Sequence, residues 1–342
     1  MLKRQATLWT HRIHTLPVVV LMPHSRCNCR CVMCDIWKAN DRREELSRDE
    51  LAPHIGEFAK LGVQSVVLSG GEALLHSNLW SLCELLAEQR VRITLLSTGL
   101  GLEQHARDVV SWCDEVIVSL DGPPALHDRI RGVPRAFDRL AAGTEALRRI
   151  NPKYRVTARC VVQHLNYEHL PATVDASRNI ALDQISFLAA DVTSEAFNRP
   201  VRWDEDRAAE VGLSSDHARG LERRIEDLIE SHHADIESGF IAESPEKLRR
   251  IARHFLALTD QCAPLPPACN APWVSTVIEA DGTVRPCFFH APIGNIHEAG
   301  LHSILNSEQA VAFRRNLDVT RDETCQGCVC TLHLPPWRSV GG

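Results

Sequence analysis

Between residues 17 and 190 the chain alternates short β-branched runs with helical patterns, six strand–helix units in all. The strand candidates are 17–22 (PVVVLM), 63–69 (VQSVVLS), 91–97 (VRITLLS), 115–121 (EVIVSLD), 155–163 (RVTARCVVQ) and 184–190 (QISFLAA). Helical stretches follow at 47–61, 78–89, 102–112, 135–150 and 168–180, the first with Ser47 as N-cap and Glu50 completing a capping box. Apolar strands separated by helices of this length imply an α/β fold, a parallel sheet covered on its outer face.

Residues 203–256 change character, becoming charged and helical. Within them Leu221, Ile225, Leu228 and Ile229 form one apolar stripe, the pattern of an amphipathic helix. Beyond Cys262 the run VSTVIEA, the dipeptide Asp281-Gly282 and TVRPC predict a β-hairpin. These shifts divide the chain into an extension (1–16), a main domain with trailing helices (17–255) and a small domain (256–342).

The loop after the first strand crowds four thiols together: HSRCNCRCVMC holds Cys27, Cys29, Cys31 and Cys34. All 13 cysteines belong to a chain of 342 residues with no apolar core or cleavage site behind its basic N-terminus. That predicts a cytoplasmic protein whose thiol clusters serve metals or catalysis rather than disulfides. No run is long enough to span a bilayer, and a pI near 6.3 argues against general nucleic-acid binding. Soft thiolates select zinc or iron–sulfur clusters over hard cations. A structural zinc site would take Cys29 or His24 as fourth ligand, whereas a cluster held by three cysteines leaves one iron open. Three ligands on a βα loop of a parallel barrel also stand where active sites are built.

Cys27-x3-Cys31-x2-Cys34 resembles the signature of the radical S-adenosylmethionine (SAM) superfamily, and later segments fall in that superfamily's order. LSGGEALL, with Gly70, Gly71 and Glu72, resembles the GGE motif that positions the methionyl amine of SAM. LLSTG, with Ser97 and Thr98, resembles the ribose-contacting segment. VSLDGPPALHDRIRG, with Ser119, Asp121, His127, Asp128 and Arg131, resembles a segment of members that carry a C-terminal cluster domain. The resemblance covers roughly residues 17–335 and implies a partial (β/α)6 parallel barrel, then helices and a small β-hairpin-containing auxiliary domain. It departs at Met33, where the family is often aromatic; a flexible apolar methionine still suits packing on adenine. Cys29 matches no ligand position and reads as a spectator thiol.

The pattern Cys269-x12-Gly282-x4-Cys287 resembles the opening of the SPASM extension, and CQGCVC supplies Cys325, Cys328 and Cys330. A full SPASM domain has more cysteines than remain, so the shorter "twitch" version fits better, with Cys269, Cys287, Cys325 and Cys328 as ligands and Cys262 and Cys330 as alternates. A zinc knuckle on the same four thiolates is the plainer reading of that stretch alone. Cys83, Cys113 and Cys160 sit in apolar patterns and read as core; His232 and His233 read as solvated, and His290 as facing the active site or serving the loop.

The resemblance implies a SAM-binding [4Fe-4S] cluster, SAM and a second, auxiliary [4Fe-4S] cluster. It implies SAM contacts from Gly70, Gly71, Glu72, Ser97, Thr98, Ser119 and Asp121, with Arg131 or Arg159 on the carboxylate and Leu188 on adenine. A flavodoxin- or ferredoxin-type reductant would feed such a site. The expected function is a dehydrogenase-type oxidoreductase that makes a 5′-deoxyadenosyl radical and oxidises an unactivated C–H bond. Its substrate is expected to be a small molecule such as a sugar or aminocyclitol. The alternatives are a ribosomal-peptide or protein maturase of the same superfamily, and a non-enzymatic iron–sulfur or zinc protein.

Overall fold

A computed structural model describes residues 2–199 and 201–337. Six strands, β1 (Val18–Leu21), β2 (Ser65–Leu68), β3 (Arg92–Ser97), β4 (Glu115–Ser119), β5 (Arg155–Val162) and β6 (Gln184–Ala189), lie side by side in chain order, each parallel to the next. Unbroken sequential order means every crossover steps one strand further the same way, the winding of a barrel rather than of a doubly wound sheet. The α/β expectation and all six strand assignments hold.

The sequence explains this local order. Among the helices, α1 (Leu2–Thr10) precedes the sheet, and α2 (Arg48–Leu61), α3 (Leu79–Ala87), α4 (Leu102–Trp112), α5 (Pro124–Arg131), α6 (Ala136–Ile150) and α7 (Leu170–Asn179) form the crossovers. The capping box on α2 is formed: Ser47 Oγ accepts from Glu50 N at 3.3 Å, and Ser47 N donates to Glu50 Oε2 at 2.7 Å. Such a cap contributes about 1 kcal/mol. Helix α5 was not legible as an element; Pro124 opens it, and Gly132, at φ 63°, closes it in the left-handed region.

One face of the sheet is sealed. Val116 and Val118, Val156, Ala158 and Cys160, and Ile185 and Phe187 are buried beneath the helices, each large apolar side chain contributing about 1.5–3 kcal/mol. The alternate positions Ile117, Ser119, Arg159, Ser186 and Leu188 occupy the opposite face and stay at least partly accessible. A second, smaller apolar cluster forms around the loop after β1, from Cys29, Cys31, Met33, Leu100, Ile130, Ala136, Ala190 and Val211.

Helices α8 (Glu205–Val211), α9 (Ser215–Ser231), α10 (His233–Glu237) and α11 (Pro245–Leu258) follow the sixth strand, with Leu221, Ile225 and Leu228 buried as the stripe predicts. The hairpin is β7 (Ser275–Ile278) and β8 (Thr283–Arg285), then β9 (Gly294–Asn295). The sheet continues across residue 255: β7 pairs in parallel with β1, Val18 opposite Ser275 and Leu21 opposite Ile278. The residues before β1 are clasped from the C-terminal side, Asn306 Oδ1 accepting from Ile13 N at 2.7 Å. No helix among the described residues is long and apolar enough to cross a membrane.

Candidate functional site

The loop between β1 and α2 carries Cys27, Cys31 and Cys34, and neighbouring segments fasten it in place. Asn40 holds Cys27 on both sides, accepting from its N at 2.9 Å and donating to its O at 2.9 Å. The end of α5 takes the middle of the loop: Arg30 N donates to Arg131 O at 2.9 Å and Val32 N to Ile130 O at 3.1 Å. Cys34 Sγ lies 3.5 Å from Ile36 N.

The thiols perturb one another. Cys29 is buried and donates to both Cys27 and Cys31, which pushes its own pKa up and draws Cys31 down to about 7. Burial opposes that fall, and the Arg131 guanidinium, whose Nη1 is 3.4 Å from Cys31 Sγ, supports it. Burial and the neighbouring Cys31 push Cys34 well up. Crowded thiols that resist ionising together are the state a cationic centre reverses, since metal binding expels their protons. The spectator thiol sits among the ligand candidates, contributing its hydrogen bonds. His24 turns Nδ1 toward Glu44 O (3.2 Å) and Glu45 Oε1 (3.4 Å).

The GGE segment packs directly on this loop. A Cβ at Gly71 would stand 2.1 Å from Arg26 O, and Gly70 has φ 106°, so only glycines let the two backbones approach. Glu72 is fully buried, its carboxylate accepting from Ser97 Oγ at 3.1 Å, Thr98 N and Thr98 Oγ1 at 2.6 Å each, and Leu74 N at 3.2 Å. Burial raises its pKa, and these donors oppose the rise. The structure thus joins Glu72 with Ser97 and Thr98, and Thr98 Oγ1 is also 2.9 Å from Asn28 Oδ1 in the cysteine loop.

Ser119 and Arg159 are register partners across β4 and β5 on the accessible face, with Ser186 and Leu188 on the neighbouring strand. Asp121 and Arg131 are placed differently. They form a buried ion pair with each other, and Asp121 Oδ1 accepts from Val161 N at 2.8 Å. Burial alone would lower the Arg131 pKa, but the Asp121 carboxylate and Cys31 reverse this and keep the guanidinium charged. Met33 is buried, 3.6 Å from Gln163 Nε2.

Residues that sequence patterns did not single out also reach the loop. Between β6 and α8, Asp191 holds Arg199 (Nη1 to Oδ2, 2.7 Å), and Arg199 stacks 3.7 Å over the Trp203 ring. Trp203 Nε1 donates to Asp35 Oδ2 at 2.8 Å, just past Cys34. Phe197 reaches the other way, its ring centroid 4.9 Å from that of Phe288, which follows Cys287. No periodicity marks such a strap in the sequence.

The C-terminal thiols also assemble. Burial raises Cys287 to about 11, and Cys269 adds to the rise; burial likewise raises Cys325 and Cys328, and both feel Cys269 and Cys287. His290 Nε2 is 3.4 Å from Cys325 Sγ, placing it at this second group of thiols. Cys330 is exposed and feels the charges of Arg159 and Asp191 and the Cys269 thiol. Cys262 turns its thiol to Arg253 O, 3.8 Å away within α11. Cys83, Cys113 and Cys160 are buried in the main core as expected.

Two sequence models of known families match these two halves. Residues 21–176 match the radical SAM superfamily and residues 269–329 the SPASM iron–sulfur cluster-binding domain. The chain carries a radical SAM domain followed by a SPASM domain. Its radical SAM domain implies a [4Fe-4S] cluster and SAM, and its SPASM domain implies auxiliary iron–sulfur binding. The residues fit these groups: each half gathers soft thiols, and buried Arg26 Nε and Arg131 Nε lack a hydrogen-bond partner among the described residues.

This radical SAM chain is 28% identical to an AdoMet-dependent heme synthase of Methanosarcina barkeri over 45% of this chain and 45% of that protein. It is 26% identical to a PqqA peptide cyclase of Ruegeria pomeroyi over 89% of this chain and 77% of that one. The chain thus spans less than half the length of the heme synthase. Its fold resembles SuiB of Streptococcus suis bound to S-adenosylmethionine, with a TM-score of 0.63 at 15% identity, covering 95% of this chain and 75% of that one.

Proposed function

We propose that this chain is a radical SAM oxidoreductase that removes hydrogen from an unactivated C–H bond and leaves its substrate two electrons more oxidised. The observation that carries this reading is the presence of two separate thiol groups, one on the loop after β1 and one in the C-terminal segment, whose Cys330 feels the charge of Arg159 on the accessible sheet face. Cys27, Cys31 and Cys34 hold the first cluster, and Cys269, Cys287, Cys325 and Cys328 the second. Held there and reduced by a flavodoxin- or ferredoxin-type donor, the first cluster would supply the electron for reductive cleavage of SAM to a 5′-deoxyadenosyl radical, and the second would take up the electron left on the substrate.

The protein's own groups bind and orient. Gly70 and Gly71 let backbone approach the methionyl amine, and Glu72 fixes Ser97 and Thr98 for the ribose. Ser119 and Arg159 take the SAM carboxylate, Arg159 offering a bidentate fork that no side-chain hydrogen bond occupies among the described residues. Leu188 packs on adenine. The Trp203 strap and the apolar cluster around Met33 shield the site from water and oxygen.

We assign a small-molecule substrate; the segment between β6 and α8 contacts both the first thiol loop, through Trp203 and Asp35, and the Phe288 segment, through Phe197. Anaerobic incubation with SAM and a low-molecular-mass metabolite fraction should raise 5′-deoxyadenosine above the uncoupled level and yield a product lacking two hydrogens. A product of unchanged oxidation state carrying solvent deuterium contradicts the oxidation. A second reading, a peptide substrate modified by the same oxidation, draws support from the peptide cyclase that aligns over 89% of this chain. It predicts that a peptide fraction, and not the metabolites, stimulates SAM cleavage.

A further inference from the structure

Arg131 and Asp121 are 6% and 0% exposed, pair with each other, and have no part in the SAM contacts assigned above. Both are fixed from several sides. Asp121 Oδ1 accepts from Val161 N at 2.8 Å, Asp121 N donates to His127 Nδ1 at 3.2 Å, and Asn166 Nδ2 donates to Asp121 O at 3.0 Å. Arg131 sits in the last turn of α5, whose Ile130 and Arg131 carbonyls receive the cysteine loop's N–H groups. A Cβ at Gly132 would stand 2.7 Å from Arg30 O, so loop and helix end are in close contact. The result is a guanidinium held with Nη1 3.4 Å from Cys31 Sγ, while its Nε has no hydrogen-bond partner among the described residues.

A guanidinium keeps its charge in proteins, so this is a permanent positive charge in a poorly screened place. The carboxylate beside it offsets part of that charge. A cluster gains one negative charge when it takes one electron from an external donor, and no proton need move on either side chain. A nearby cation stabilises the reduced form, as do hydrogen bonds to cluster sulfur.

We propose that the Arg131–Asp121 pair sets the reduction potential of the cluster held by Cys27, Cys31 and Cys34. Arginine raises the potential and aspartate trims it. The inference rests on those three cysteines holding that cluster. Reconstituted protein is titrated anaerobically without SAM, and the midpoint is read from the reduced-cluster EPR signal that added SAM afterwards shifts. Arg131→Met should lower the midpoint, Asp121→Asn should raise it, and Arg131→Lys should fall between Arg131→Met and the native protein.

Shifts of opposite sign separate an electrostatic role from mere packing, which would move both variants the same way. Unmoved midpoints, or shifts of one sign, overturn the proposal. So does an Arg131→Met protein with a native midpoint and weakened SAM binding, which would make Arg131 a SAM ligand. If Arg131→Met holds no cluster, Asp121→Asn decides: a raised midpoint supports the proposal and an unmoved one overturns it. A native protein with no SAM-responsive cluster signal instead defeats the underlying cluster assignment.

Discussion

Glu72 accepts two hydrogen bonds from Thr98, from its backbone N and from its Oγ1, each at 2.6 Å. The contact locks the loop after β2 to the end of β3 and its following loop, the segments expected to hold the methionyl amine and the ribose of SAM. Glu72→Ala would remove the acceptor of four protein donors, a loss of about 3 kcal/mol. Thermal unfolding should show that loss, and SAM binding should weaken more than tenfold, a change of about 1.4 kcal/mol. Native SAM affinity in a folded Glu72→Ala protein would contradict the positioning role.

The Asn40 amide grips Cys27 by both backbone groups. Asn40→Asp keeps the acceptor and loses the donor. The variant should fold, retain the second cluster and lose iron from the first faster than the native protein does. Iron and sulfide counts during incubation with a chelator check this.

Trp203→Phe removes the hydrogen bond to Asp35 and keeps a ring for Arg199, so the stability loss should be about 1 kcal/mol. If the strap shields the first cluster, its visible absorbance should bleach several-fold faster in air-saturated buffer than in the native protein. Equal bleaching rates would remove the shielding role.

The C-terminal thiols divide by position. Cys269→Ala combined with Cys287→Ala should eliminate the second cluster and substrate turnover, while uncoupled SAM cleavage continues. Cys262→Ala should keep both clusters, because Cys262 faces Arg253 O. Iron counts on the two proteins test the assignment, and zinc in place of iron would defeat the electron-acceptor role.

These residues also show which parts of the molecule the sequence disclosed. Short β-branched runs marked the strands, because each had to be buried by a following helix. The cysteine spacings pointed to metal because soft ligands on one short loop have few other uses. The partners of Glu72 and Arg131 were not visible, since Ser97, Thr98, Asp121 and Cys31 reach them only through loops brought together by the sheet. Pairing of β7 with β1 joins residues far apart in the chain, Val18 with Ser275, and no local pattern encodes it. Likewise Trp203 and Phe197 lie in a strap without periodicity, and their tie to the thiol loops is purely tertiary.

The most direct measurement is SAM cleavage by a protein in which Cys27, Cys31 and Cys34 are all replaced by alanine. Reconstituted anaerobically and supplied with dithionite and SAM, the native protein should hold two four-iron clusters, about eight irons, and form 5′-deoxyadenosine. The triple variant should hold one cluster and form none. A folded triple variant that still releases 5′-deoxyadenosine would show that these three thiols do not hold the radical-generating cluster.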